Sequence, residues 1–363
     1  MSDVTGIDEP ASGANGSPPA LAVAVRRRMT VVGIGIALAV LILFPIVITD
    51  PAATSIAFFA IVFMAAATAW NLFSGYSGYL ALGHAVFFGS GAYAVAIIAQ
   101  DNHVGGGWPV FALLPLGGVV ATLLAIPFGL VALRTRRHTF VVVTIAIFFI
   151  FQLAATNFSF TGGTSGMFYP LAPFSAASFN QVFDFVAAGI LVFTVLLSWA
   201  VRRSRFGLQL LAIRDDEDRA RGLGVKTWRV KLIAFMLSAF PVGMLGAVYF
   251  DFIGQVFPQF AFDPLFDLSI ALMAFFGGMG TVVGPLFGAA VLESVQQYLQ
   301  QSSASAAWYL IGYGVLFLVV ILLLPRGVVP GIGELIARRR ADAADRRRSE
   351  LDRAVGGVAG AAP

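Results

Sequence analysis

Ten apolar runs follow one another along the chain and leave little sequence between them for a water-soluble core. Most runs reach the length of a bilayer-spanning helix, about 20 residues, and their continuous pattern favours helices over a membrane β-barrel. Only 12% of the 363 residues are charged, which excludes an ordinary soluble enzyme or nucleic-acid binder. The sequence therefore predicts an all-α polytopic membrane protein with about ten transmembrane helices. The runs are residues 29–49, 52–73, 79–100, 109–133, 139–157, 182–201, 231–250, 267–279, 284–299 and 308–324.

Residue types that usually carry catalysis or bind metals are scarce. The chain has no cysteine, and its three histidines are too scattered for a convincing metal cluster. The sequence contains no Walker-type phosphate loop, and its only lysines are Lys226 and Lys231. Metalloprotease and nucleophile-elbow signatures are also missing from the sequence. We therefore expect no catalytic residue, no bound metal and no cofactor, and any ATP that drives this protein must bind another subunit.

Basic residues are confined to a few parts of the chain. All 23 Lys and Arg residues lie in four segments: 26–28, 134–137, 202–231 and 326–353. A ten-helix arrangement puts these four segments on one side of the membrane. The opposite loops carry aspartates instead, and Asp184 and Asp267 are expected near helix mouths on that side. Because basic residues in short loops mark the cytoplasmic side, both termini are expected in the cytoplasm.

Composition divides the chain into three parts. Residues 1–25 are rich in Gly, Ala, Ser and Pro and are predicted to be a disordered cytoplasmic tail. Residues 26–330 form the predicted transmembrane domain, and residues 331–363 a basic cytoplasmic tail on the membrane surface or in solvent. Residues 26–49 resemble a signal peptide, but their apolar run is long and lacks a convincing cleavage site. We interpret that run as the first helix.

Close-set glycines interrupt the apolar runs at two places, one in each half of the chain. The first cluster covers residues 74–91 and the second residues 277–288. Glycine allows helices to approach closely, and it allows a helix to break where protein or a cavity satisfies the backbone. Such a pair is typical of a transporter built from two repeats, although tight helix packing alone is the alternative. The residues expected to line a pathway are Asn71, Gly78, Gly83, His84, Gly278, Gly280 and Glu293.

Three of these candidates are polar side chains at predicted membrane depth, where each needs a partner or an aqueous path. Asn71 and His84 flank the first glycine cluster, and Glu293 is the only carboxylate well inside an apolar run. Interhelical hydrogen bonding is the alternative explanation for Asn71 and His84. For Glu293 the alternative is pairing near the membrane interface.

The longest charged stretch between apolar runs covers residues 202–231. Leu208, Leu211 and Ala212 recur at helical spacing and predict a short amphipathic helix. The acidic run 215–218 suits the start of a second short helix, which Gly224 could end. Two short surface helices in an internal loop favour docking of a cytosolic partner. A basic helix resting on lipid headgroups is the alternative.

These segments together resemble the LivM-type permeases, the membrane subunits of ABC importers for branched-chain amino acids. The resemblance covers residues from about 55 to 330 in the family's order. In the charged loop it rests on Phe206-Gly207, Ala212-Ile213-Arg214, Glu217, Ala220 and Leu223-Gly224. Elsewhere it rests on Gly75-Tyr76, Gly78, Leu82-Gly83-His84-Ala85, Ser238-Ala239, Gly277-Gly278, Gly280-Thr281 and Pro325-Arg326-Gly327. The chain departs from the family at Asp218 and Arg219, where an apolar residue followed by alanine is usual.

The resemblance implies an ABC importer permease fold in a bacterial inner membrane. Such a permease forms the translocation pathway and pairs with a homologous second permease. Two cytosolic ATPases dock beneath it, and an extracytoplasmic binding protein delivers the substrate. By this likeness residues 26–330 are the permease domain and residues 202–230 its coupling loop. The residues expected to couple the loop to an ATPase are Arg214, Asp215, Glu217, Ala220, Leu223 and Gly224.

Two other classes of protein stay open at this point. A self-sufficient secondary transporter or channel would use Glu293 or His84 for ion coupling, but it predicts more charged groups inside the membrane than the sequence has. A non-transporting membrane subunit is the second class, and no specific feature favours it. The substrate is open as well, because similar architectures carry urea, amides or other amino acids.

Overall fold

The structure, a computed structural model, describes residues 50–302 and a few positions between 311 and 331. The predicted run 29–49 and the tail 1–25 lie outside the described residues, as do most of the run 308–324 and nearly all of the tail 331–363. Within the described part, six helical segments are long and apolar enough to cross a membrane. The all-α polytopic membrane class is confirmed. The count of about ten helices and the side of the termini stay predictions.

The described residues form eleven α-helices and one two-residue β-pair. The helices are α1 Pro51–Trp70, α2 His84–Asp101, α3 Trp108–Ala132, α4 Arg137–Asn157, α5 Ala176–Arg203, α6 Arg205–Asp215, α7 Glu217–Gly222, α8 Thr227–Ile253, α9 Pro258–Ala261, α10 Pro264–Gly277 and α11 Val283–Ser302. A π-helical turn, Asn71–Gly75, continues α1. The strands β1 Met167–Phe168 and β2 Gln255–Val256 pair antiparallel, with Met167 opposite Val256. The candidate spans are Pro51–Gly75, Trp108–Ala132, Arg137–Asn157, Ser178–Arg203, Thr227–Ile253 and Pro258–Gly277.

Helix ends differ from the predicted runs where glycine or proline intervenes. The predicted run 79–100 becomes helical only at His84, because Gly78, with φ +73°, turns the chain out of the helix before it. α10 starts at Pro264, before the predicted residue 267, because the Asp263 carboxylate caps it and accepts the Leu265 N–H at 2.9 Å. Gly278, with φ +120°, ends α10. Both glycine interruptions are therefore real helix breaks.

α1 lies at the centre of the described helices. In the span Pro51–Gly75, 78% of the most apolar stretch is buried, against 22% for α4. The helices α5, α8, α10 and α11 pack around α1, and α8 in turn packs against α2 and α3. A helix that is apolar on all sides belongs in a core. α4 by contrast turns Phe149 and Leu153 outward.

Glycines allow α2 and α8 to cross in backbone contact. A Cβ atom added at Gly246 would lie 1.9 Å from the Phe88 carbonyl oxygen, and one added at Gly91 would lie 2.1 Å from the Gly243 carbonyl oxygen. Distances this short leave no room for any side chain, so the crossing requires glycine. This crossing holds the first glycine cluster against the helix that follows the charged loop.

We expect Gly246→Ala to destabilise the protein by about 1–3 kcal/mol or more, because the new methyl group forces two backbones apart. Gly189→Ala is the matched control, since a Cβ atom at this α5 position meets nothing within 4 Å. The measurement is the thermal unfolding midpoint of the detergent-purified protein. Equal midpoints for the two variants would show that the helices do not cross as described.

The two basic segments of the described chain meet at one end of the helices, called here the basic end. Arg137, the first residue of α4, donates from Nη2 to the carbonyl oxygens of Ile213 and Arg214 at 2.8 and 2.7 Å. The β1–β2 pair lies at the far ends of α4 and α8, opposite the basic end. The structure thus gathers residues 134–137 and 202–231 on one side, as the charge pattern predicts.

Candidate functional site

The predicted pair of short helices in the charged loop is present as α6 and α7. The Asp216 carboxylate caps α7 by accepting the N–H groups of Asp218 and Arg219, both at 3.0 Å. Gly224 follows α7 with φ +87°, a left-handed conformation that favours glycine after a helix. We call residues 205–224 the α6–α7 segment. Its helices form because local capping residues stand at both ends.

The six residues expected to couple this segment to an ATPase divide between two faces. Ala220 is buried, and the side chains of Arg214 and Glu217 point towards the membrane helices. Asp215 is exposed, Leu223 is 85% exposed, and a Cβ atom at Gly224 would meet nothing within 4 Å. Only the second group is free to meet another protein.

Glu217 belongs to a buried ionic cluster rather than to the open surface. Its Oε1 atom lies 2.7 Å from Nζ of Lys231, and the exposed fractions of the two side chains are 16% and 4%. The Tyr79 hydroxyl donates to the other carboxylate oxygen and accepts from Lys231 at 3.1 Å. The Lys231 ammonium also lies 4.2 Å from the centre of the Tyr79 ring. This ionic cluster joins α7, the start of α8 and the stretch between α1 and α2.

The charge of Glu217 follows from its partners. Burial favours the neutral form of the carboxyl, but the hydrogen bonds from Lys231 and Tyr79 outweigh burial and lower the pKa of Glu217 below its ordinary value. A carboxylate whose pKa falls on folding stabilises the fold at pH values above its unfolded pKa. That contribution is lost as the pH drops through the lowered folded pKa. The contribution of the Glu217 carboxylate to stability is therefore present at neutral pH and is lost in acid.

The two glycine breaks contact each other through Asn71. Its Oδ1 atom accepts the Gly280 N–H at 2.7 Å, and its Nδ2 atom donates to the Thr281 carbonyl at 2.8 Å. The Asn71 side chain is buried, so it satisfies two backbone groups that the second break has freed from helical bonding. Gly278 lies in the same turn, and Gly327 packs against it: a Cβ atom at Gly327 would lie 2.5 Å from the Gly278 Cα.

Arg214 connects the α6–α7 segment to these breaks. Its Nη1 atom donates to the Gly75 carbonyl at 2.9 Å, at the end of the π-helical turn. Gly78 and Gly280 stand against the same side chain. Two predicted groups therefore meet here. Arg214 was predicted as a coupling residue, and its neighbours were predicted to line the pathway: Asn71, Gly78 and Gly280.

Gly83 and His84 lie at the start of α2, where a second long-range contact fixes the helix. No side chain near Gly83 caps α2; instead the Asp267 carboxylate accepts the N–H of His84 at 2.8 Å and that of Ala85 at 3.3 Å. The His84 Nε2 atom lies 3.1 Å from the Ser238 hydroxyl of α8. Asp267, expected near a helix mouth, lies in the first turn of α10 and is buried there. It is buried because the start of α2 needs an acceptor there.

Glu293 is buried in α11 and does not join the contacts around Asn71 or His84. One carboxylate oxygen accepts from Gln297, one turn further along the same helix, at 2.8 Å. The other oxygen has no partner among the described residues. Asp184, Asp251 and Asp267 are buried in other described helices, so Glu293 is not the only carboxylate inside them.

An open cleft of about 550 Å³ lies at the basic end, between the start of α4 and the α6–α7 segment. Residues 134–138, which are basic except for Thr135, and the acidic residues 215–218 line the cleft together with Tyr79 and Lys231. Sequence patterns had not identified Tyr79, Arg137, Lys231 or Asp267 as site residues. A signal existed for Lys231, because a lone charge at the edge of an apolar run requires a partner. Tyr79 and Arg137 had no comparable signal.

These helices and their buried polar contacts define a multi-pass membrane protein with two broken helices and one structured loop at its basic end. A family model described as the permease component of the branched-chain amino acid transport system matches residues 52–321. The chain belongs to this family.

Individual relatives agree with the family match. The permease proteins LivM of the high-affinity branched-chain amino acid transport systems of Salmonella typhimurium and Escherichia coli are 29% and 28% identical over 289 residues. These alignments span 72% of this chain and 66% of each relative. The fructose import permease protein FrcC of Rhizobium meliloti is 26% identical over 146 residues, 39% of this chain and 41% of its own length. No solved structure matches the chain.

Proposed function

We propose that this chain is the membrane-spanning permease subunit of an ATP-driven importer for branched-chain amino acids. The family membership and the names of the LivM relatives support this proposal. The structural observation behind it is the two-faced α6–α7 segment. Arg214 and Glu217 fasten its inner face to the membrane helices, whereas Leu223 on its outer face stands free. A loop built in this way suits the transfer of force from an external protein.

The complete transporter then needs four kinds of component around this chain. They are two cytosolic ATPases on the α6–α7 segment, a homologous second permease, an extracytoplasmic binding protein and the bacterial inner membrane. About ten helices within residues 26–330 cross that membrane, both termini are cytoplasmic, and residues 202–230 act as the coupling loop. The chain itself contributes no ATPase site.

ATP binding draws the coupling loops together and switches the pathway between outward-open and inward-open states. The two breaks are the elements that move, because their glycines and freed backbone groups allow local rearrangement. The residues proposed to line the pathway remain Asn71, Gly78, Gly83, His84, Gly278, Gly280 and Glu293. The Asn71 amide is neutral and forms hydrogen bonds with the backbone at the breaks. In this proposal the binding protein sets much of the selectivity between amino acids.

Reconstitution in vesicles tests this function. The chain is co-expressed with the ATPases, second permease and binding protein that the proposal requires, and leucine uptake is measured with and without ATP. We expect the ATPases to co-purify and uptake to require ATP. Uptake in vesicles that lack ATP and ATPase would instead identify a self-sufficient secondary transporter or channel. In that case Glu293, whose second oxygen is unpaired among the described residues, becomes the first candidate for ion coupling.

Leu223 gives a residue-level test of the docking face. We expect Leu223→Asp to weaken ATPase binding about tenfold, because the variant puts a charge where the docked ATPase would cover an exposed apolar side chain. Leu171→Asp is the control: Leu171 is 92% exposed but follows β1 at the end away from the basic loops. Binding of purified ATPase to the detergent-solubilised permease is the measurement. Equal binding by both variants would exclude this face.

A further inference from the structure

Glycines from both helix breaks surround the side chain of Arg214. A Cβ atom at Gly78 would lie 3.0 Å from its Cγ atom, and one at Gly280 would lie 2.0 Å from its Nη1 atom. The third glycine, Gly75, offers its carbonyl oxygen to the same Nη1 atom at 2.9 Å. The three glycines thus form a socket, and a Cβ atom at position 280 would displace the guanidinium from it. We call Gly75, Gly78 and Gly280 the glycine socket.

The backbone of Arg214 is held as firmly as its guanidinium. Arg137 donates to the carbonyl oxygens of Ile213 and Arg214, which lie in the last turn of α6 and lack helical partners. One turn of chain further on, Glu217 anchors the start of α7 to Lys231. A displacement of the α6–α7 segment therefore moves the root of the Arg214 side chain with it.

The far end of the side chain reaches both breaks at once. Gly75 ends the π-helical turn of the first break, and Gly280 belongs to the second. The Gly280 N–H is in turn bonded to Asn71, which stands at the start of that π-helical turn. A shift of the guanidinium changes the geometry of both breaks together, because Asn71 links them.

We propose that Arg214 is the positioning residue that transmits movement of the α6–α7 segment to the two helix breaks through the glycine socket. This inference rests on the proposed function, in which an ATPase moves that segment. Arg214 contacts neither ATP nor the transported molecule in this role. Its charge-assisted hydrogen bond to Gly75 transmits the movement, because a guanidinium holds a carbonyl more strongly than a neutral donor does.

The test is the number of leucine molecules transported per ATP hydrolysed by the complete complex in vesicles. We expect Arg214→Gln to leave the ATPase rate nearly unchanged while the transport-to-hydrolysis ratio falls about tenfold, as the loss of one charge-assisted hydrogen bond implies. Arg214→Lys keeps the charge but lacks the planar fork, and should give an intermediate ratio. Arg205→Gln is the matched control, because Arg205 is an exposed residue at the other end of α6.

The outcomes separate this inference from the proposed function. If the wild-type complex shows no ATP-dependent uptake, the proposed function fails and the inference with it. If the wild type transports and both Arg214 variants keep the wild-type ratio, the inference alone is overturned. A fall of transport and hydrolysis in equal proportion would also overturn it, because that result indicates a purely structural role. A lowered ratio in Arg214→Gln with a normal ratio in Arg205→Gln supports it.

Discussion

Glu217→Lys is expected to abolish transport and to lower the stability of the protein by about 3–5 kcal/mol, the cost of breaking a buried ion pair from one side. The new ammonium would lie next to that of Lys231, whose side chain is 4% exposed. The wild-type protein has an ion pair of 2.7 Å at this place. Detachment of α7 from the start of α8 should follow. Thermal unfolding and ATP-dependent uptake measure the two effects.

A charge swap provides the control for this prediction. Lys231→Glu combined with Glu217→Lys restores opposite charges and should recover part of the lost stability. Asp218→Lys, on the exposed side of the same turn, should have little effect. The assignment of Glu217 to the inner face is wrong if the single variant is as stable as the wild type, or if the swap is no better than the single variant.

Acid should act on the same contact. Because the pKa of Glu217 is lowered on folding, its contribution to stability is complete at neutral pH and disappears as the pH falls through the lowered value. The Glu217→Gln variant lacks this group and should lose the corresponding part of the acid sensitivity.

Asn71→Leu is expected to cost about 1–3 kcal/mol for each backbone group that it leaves unpaired, and two such groups are present. The Gly280 N–H and the Thr281 carbonyl are bonded to the Asn71 amide at 2.7 and 2.8 Å. Without these bonds the two breaks are no longer held together. We expect loss of transport as well as a lower unfolding temperature.

Asn157→Leu is the matched control for Asn71→Leu. Asn157 also lies in a predicted membrane helix, but it is exposed. Its amide donates to the Leu153 carbonyl of its own helix, at 2.7 Å, and to no other group among the described residues. Transport by Asn71→Leu at the level of the control would show that the breaks do not depend on each other.

Local sequence patterns predicted most of the described helices and both interruptions, although several helices begin at other residues than predicted. The spacing of Leu208, Leu211 and Ala212 identified α6, and the acidic run identified the start of α7, because a helix face and its cap are encoded within a few residues. Close-set glycines identified both breaks for the same reason. The membrane class follows from hydropathy alone, since the bilayer fixes the length and polarity of a spanning helix.

Pairing between distant residues could not be predicted in this way. Tyr79 and Glu217 are 138 residues apart, and nothing near either residue indicates the other. Glu217 was selected as a residue of the coupling loop, but its inward contact with Lys231 could not be read from the sequence. Such contacts depend on how the helices pack, and packing is decided by side-chain shape over the whole membrane domain. An unpaired charge in an apolar run is the one local warning that such a partner exists.

The start of α2 has a consequence for biogenesis. Its first amides are bonded to Asp267, which follows His84 by 183 residues, and Asn71 is bonded to Gly280, 209 residues later. A ribosome delivers the N-terminal half of the chain long before these acceptors exist. The early helices must therefore enter the bilayer with incomplete ends and wait there. The N-terminal half reaches its final packing only after residue 280 has been synthesised.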